Sequence, residues 1–93
     1  MNKKKLLIAR NKVDQIDNRI FYLIKKRTAI VKYMLSLKGF KKQIIDHKRI
    51  KEILKKIKNQ STKNGIDLKL TSRIWKTMIW SYVDFQRRNF KRK

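Results

Sequence analysis

Residues 6–37 read LLIARNKVDQIDNRIFYLIKKRTAIVKYMLSL, and the spacing of their apolar side chains decides the fold. With Leu6 taken as position a of a heptad, the a series is Leu6, Val13, Ile20, Arg27 and Met34. The d series is Ala9, Ile16, Leu23, Ile30 and Leu37. An apolar seam of this period, sustained with no Gly or Pro to break it, predicts one helix from about Lys5 to Lys38. At 1.5 Å per residue that helix is roughly 50 Å long. One small globule does not need such a length, so the seam is expected to pack against a second chain. Arg27 is the single charged member of an otherwise apolar series. A guanidinium buried without a counter-charge is strongly unfavourable, so this position predicts a nearby anion, either a ligand or a carboxylate such as Asp84.

Beyond the seam, Gly39 is a stop signal, and Gly39 to Ile45 reads as a short basic loop. Asp46 is the expected N-cap of a second helix, with Ile45 and Ile50 at the N′ and N4 positions of a hydrophobic staple. Ile50, Ile53, Leu54 and Ile57 form its apolar stripe up to about Ser61. Asn64-Gly65 ends that unit, and Asp67 caps a third helix continuing to about Phe90. The third stripe is Ile74, Trp75, Met78, Ile79, Tyr82, Val83, Gln86 and Phe90. No strand, repeat or linker is apparent. The expected fold class is all-α, three helices in long-short-long order, as a single domain over residues 1–93.

Composition removes several classes of function. There is no Cys, which excludes disulfides and thiolate metal sites, and His47 is the only histidine, which disfavours a His-based metal site or a Ser-His-Asp triad. No apolar run reaches membrane-spanning length, and Leu6 to Ala9 is too short for a signal peptide, so a soluble cytoplasmic protein is expected. The net charge of +22 invites a nucleic-acid reading. The same chain holds 20 Lys, 13 Ile and 6 Asn against 2 Ala, 2 Gly and no Pro, the signature of A/T-rich codons. Codon drift alone accounts for such a surface, so the charge is discounted as a sign of nucleic-acid binding. It still attracts small anions.

Several polar residues stand where apolar ones are expected. Arg27 and Lys38 are separated by three helical turns, which puts them on one face with Cα atoms about 16 Å apart. Two long side chains can close that distance around a small molecule. Arg10 lies roughly 25 Å before Arg27 on the same helix, too far to reach easily a ligand held there by its own chain, whereas in an antiparallel or interlocked dimer Arg10 of the neighbouring chain could. Gln86 interrupts the third stripe, and a buried amide needs hydrogen-bond partners. Arg49 follows the loop after Lys38. Each has a plainer structural reading: Arg10 as a surface charge, Lys38 as a helix C-terminal cation, Arg49 as a solvated group, Gln86 bonded to a backbone carbonyl.

The run Arg10-x2-Val13-x2-Ile16-Asp17-x2-Ile20-x2-Leu23-x3-Arg27, then Lys38, Ile45-Asp46-x2-Arg49, Gly65-Ile66-Asp67 and Ile79-x6-Gln86 resembles the all-helical chorismate mutase family. The resemblance runs from about Leu7 to Phe90. It implies an interlocked homodimer with two active sites, each taking Arg10 from the neighbouring chain. It implies that Arg10 and Arg27 grip the two carboxylates of chorismate, and that Lys38 and Gln86 hydrogen-bond the ether oxygen whose bond breaks. Arg49 would add a contact to the carboxylate region, and the Asp46 backbone one near the ring hydroxyl. Conversion of chorismate to prephenate, a step of the shikimate pathway to aromatic amino acids, is a one-substrate rearrangement that uses no cofactor and no metal. It asks for preorganised cations, which Arg and Lys supply.

Two positions depart from the common pattern. Ile50 stands where many mutases carry a Glu that binds the ring hydroxyl, and Tyr82 stands where a Ser is frequent. Glu52 lies about 200° round the helix from Ile50 and is a poor substitute. Both departures resemble the isochorismate-pyruvate lyases, a sister branch that expels pyruvate from isochorismate to give salicylate. That activity is the alternative function. A further alternative is a basic helical nucleic-acid-binding protein, which predicts aromatics on an exposed basic face; Tyr22, Trp75 and Phe90 fall instead on or near the packing stripes.

Overall fold

The structure, a computed structural model, describes residues 2–91. Helix α1 spans Lys3–Ser36, α2 spans His47–Lys63 and α3 spans Leu68–Asn89. The order is long-short-long, with no strand among the described residues. Three boundaries carry side-chain caps that explain them. Asn2 Oδ1 accepts from the Lys5 amide at 3.0 Å. Asp46 Oδ1 accepts from the Arg49 amide at 3.0 Å, and Asp67 Oδ1 from the Lys69 amide at 3.2 Å. Each satisfies an amide that the first helical turn leaves without an intrahelical acceptor.

The end of α2 depends on Gly65, whose φ of 65° is the left-handed conformation that disfavours other residues. The Gly65 amide donates to Thr62 O at 3.4 Å and the Ile66 amide to Ser61 O at 2.9 Å. That pairing is the Schellman arrangement, and it turns the chain directly into α3. The basic segment expected as plain loop contains a 3₁₀ turn, Lys41–Gln43, which the periodicity of its few apolar residues does not reveal.

The chain divides into two compact units, the first ending at Tyr33 and the second beginning at Met34. The first unit is the amino-terminal body of α1. Its seam residues Val13, Ile16, Ile20, Leu23 and Ile30 are each half or more exposed. The second unit holds the last turn of α1, the 3₁₀ turn, α2 and α3. There α2 packs on α3, and Ile57 of α2 and Ile79 of α3 are buried. Ser61, 3% exposed, donates to Ile57 O at 2.7 Å and shares a 2.7 Å hydroxyl contact with Thr71, so this buried hydroxyl is paired. Leu35, Ile44 and Val83 make a buried cluster, with Ile45 and Phe90 against it.

Candidate active site

The second unit brings two of the expected site residues into contact. Lys38 lies three residues after Leu35, and Gln86 three residues after Val83, so both project from the edge of the buried cluster. Lys38 Nζ donates to Gln86 Oε1 at 2.8 Å. Gln86 Nε2 in turn donates to Tyr82 O at 3.2 Å. These partners settle the amide orientation chemically, because an ammonium only donates and a carbonyl only accepts. Gln86 is 8% exposed, and its amide uses its oxygen and one N–H in these bonds. One amide N–H and two ammonium N–H groups remain, and all carry positive potential.

Burial lowers the pKa of Lys38 below the ordinary lysine value, with the Asp46 carboxylate acting in the opposite direction. The cation is therefore held partly out of water, which strengthens its attraction for any negative oxygen beside it.

The remaining expected residues sit as follows. Tyr82 is half-buried, its ring edge-on to Phe85 at 6.2 Å and 84°, and its backbone oxygen serves Gln86. Asp46 caps α2, as expected. Ile50, one turn in, is half-buried. Arg49 is largely exposed and makes a 3.6 Å surface ion pair with Glu52, the nearest carboxylate to Ile50 in the sequence. Asp84, a candidate partner for Arg27, accepts from Arg88 Nε at 2.8 Å. In the first unit, Arg27 is half-buried and Arg10 is exposed. Of the aromatics assigned to packing stripes, Trp75 and Phe90 are half-buried, but Tyr22 is 55% exposed with Lys26 over its ring at 4.9 Å. The c position of the heptad faces away from the seam, which is why Tyr22 is open to solvent.

One polar residue beside the site escaped the sequence reading. Gln43 Oε1 accepts from the Gly39 amide at 2.8 Å and from the Phe40 amide at 2.9 Å, closing the segment that follows Lys38. Its only sequence signal is a side-chain acceptor placed four residues after the helix-stopping Gly39.

Comparison with curated proteins and with solved structures returned no match. The family described as chorismate mutase type II matches residues 9–87, which takes in most of α1, all of α2 and nearly all of α3. With that match over most of its length, and an all-helical order in agreement, the chain belongs to the type II chorismate mutase family.

Proposed function

We propose that this protein rearranges chorismate to prephenate in a cationic site completed by a second copy of the chain. The observation that carries the reading is the Lys38–Gln86 pair: a partly desolvated ammonium hydrogen-bonded to an oriented, buried amide, with N–H donors left over. In the rearrangement a C–O bond lengthens as a C–C bond forms, and negative charge grows on the ether oxygen. Donors fixed in place before the reaction stabilise that charge without reorganising. In this proposal Arg27, and Arg10 from the neighbouring chain, hold the two carboxylates so that the reacting carbons stay close. Arg49 and the Asp46 backbone stand at the periphery of the same site. No covalent intermediate and no proton transfer are required, so the site works with Arg, Lys and Gln side chains.

The proposed homodimer is supported by the exposed seam of α1, whose aliphatic residues are arranged for a partner helix. A small basic anion-binding protein of this kind fits a place in aromatic amino-acid biosynthesis in the cytoplasm. Among the described residues, no helix is long and apolar enough to cross a membrane.

Ile50 and the Arg49–Glu52 pair favour a second reading. With an aliphatic side chain at position 50 and Glu52 pointing elsewhere round the helix beside Arg49, position 50 offers no carboxylate to the ring hydroxyl. The lyase reaction on isochorismate, giving salicylate and pyruvate, uses the same cations. Incubation with chorismate, followed by loss of its ultraviolet absorbance, is expected to show turnover far above the thermal rate. Isochorismate assayed in parallel by salicylate fluorescence is expected to react more slowly. No catalysed loss of chorismate would sink the mutase reading, and rapid salicylate release would replace it with the lyase.

The pH response is a further expected result. The ammonium form of Lys38 is the active one, so activity falls as pH rises through its lowered pKa, earlier than for an ordinary lysine. Stability moves the other way. The unfolded chain binds more protons than the folded one between the lowered and ordinary lysine values, so this group's contribution to stability rises with pH there. Activity lost while the urea midpoint holds or increases is the predicted signature; the two falling together would mean alkaline unfolding instead.

A further inference from the structure

The segment joining Lys38 to Ile44 is short, and one side chain closes it. After α1 ends, the Leu37 and Lys38 amides donate to Met34 O and Leu35 O, both at 3.1 Å, which tightens the last turn. Next, the Gly39 and Phe40 amides converge on the single oxygen Oε1 of Gln43, at 2.8 and 2.9 Å. The Gln43 amide donates back to Phe40 O at 3.0 Å. Immediately beyond, Ile44 is 4% exposed and lies in the cluster with Leu35 and Val83. The closed segment is thus anchored at Leu35 on one side of Lys38 and at Ile44 on the other, while Val83 carries the anchoring one turn up α3 to Gln86.

Lys38 needs such a restraint. Its ammonium sits where burial disfavours the charge, and the residue after it is glycine, the most conformationally free of all. We infer that Gln43 is a positioning residue: by tying down the Gly39 and Phe40 amides, its side-chain oxygen holds the Lys38 ammonium against Gln86. The consequence for turnover rests on the reading of Lys38 given above; the restraint itself does not. The charged or polar groups that bear on Lys38 are Asp46 from the start of α2 and Gln86 from α3.

The test uses the full chain with Gln43→Met, which keeps the length but removes the acceptor, and Gln43→Glu, which keeps an acceptor oxygen. In Gln43→Met, hydrogen exchange at the Gly39 and Phe40 amides is expected to quicken roughly 10-fold. The Lys38 Nζ resonance is expected to titrate at higher pH than in the parent, as the ammonium regains water. Turnover of chorismate should drop roughly 10-fold with KM within about twofold, the pattern of a displaced group rather than a lost binding contact. Gln43→Glu should return both exchange and turnover toward the parent values. An unchanged Lys38 titration in Gln43→Met overturns the inference, even if the amides exchange faster. A parent chain with no turnover overturns the mutase reading alone, because the titration still judges the restraint.

Discussion

Replacing Lys38 with methionine is expected to cut chorismate turnover by roughly 10²–10³-fold, the range seen when one preorganised donor is removed from a charge-stabilising site. Methionine keeps most of the stem, so the loss is of the ammonium itself. Two opposing terms act on stability. Gln86 Oε1, accepting from Lys38 in the parent at 2.8 Å, loses its donor in a residue only 8% exposed, a cost of about 1–3 kcal/mol. Against that, a charge whose burial already lowers its pKa is no longer desolvated. The net change in the urea unfolding free energy is therefore expected to stay within about 2 kcal/mol. Full turnover in a folded Lys38→Met chain would contradict the role assigned to this residue.

Arg27→Ala is expected to lose at least ~2–3 kcal/mol of transition-state stabilisation, roughly 30- to 150-fold in kcat/KM. Alanine sustains a helix at least as well as arginine, and the change puts a small apolar residue into the a series of the seam. Helical circular dichroism should be retained and oligomerisation unharmed. If the rate is unchanged, the half-buried guanidinium has another role and the carboxylate grip has been misassigned.

Much of the fold was legible because local chemistry and apolar period agree along this chain. Asp46 and Asp67 were readable as caps, and each accepts the amide its position predicts. Asn64-Gly65 was readable as a stop because only a left-handed residue closes α2 as Gly65 does. Lys38 and Gln86 stood out as polar residues in apolar company, and they meet at 2.8 Å across 48 residues of sequence. Gln43 did not stand out, since its part depends on two backbone amides that no side-chain pattern encodes. The exposure of Tyr22 was missed although its c position faces away from the seam; in the structure Lys26, one turn on, lies over its ring. The seam of α1 was legible by its period, and its aliphatic residues lie exposed in the single chain, which is why a second copy is proposed to cover them.

The central claim is that the catalytic cations are drawn from two chains. Inactive Arg10→Ala protein mixed in equal amounts with inactive Lys38→Ala protein, under conditions that exchange subunits, puts it to the test. Random pairing makes half the dimers mixed, and each mixed dimer collects both lesions in one site and leaves the other intact. Recovery to about a quarter of the parent activity is the predicted result. Confirmed exchange with no recovery would contradict a site shared between two copies of the chain.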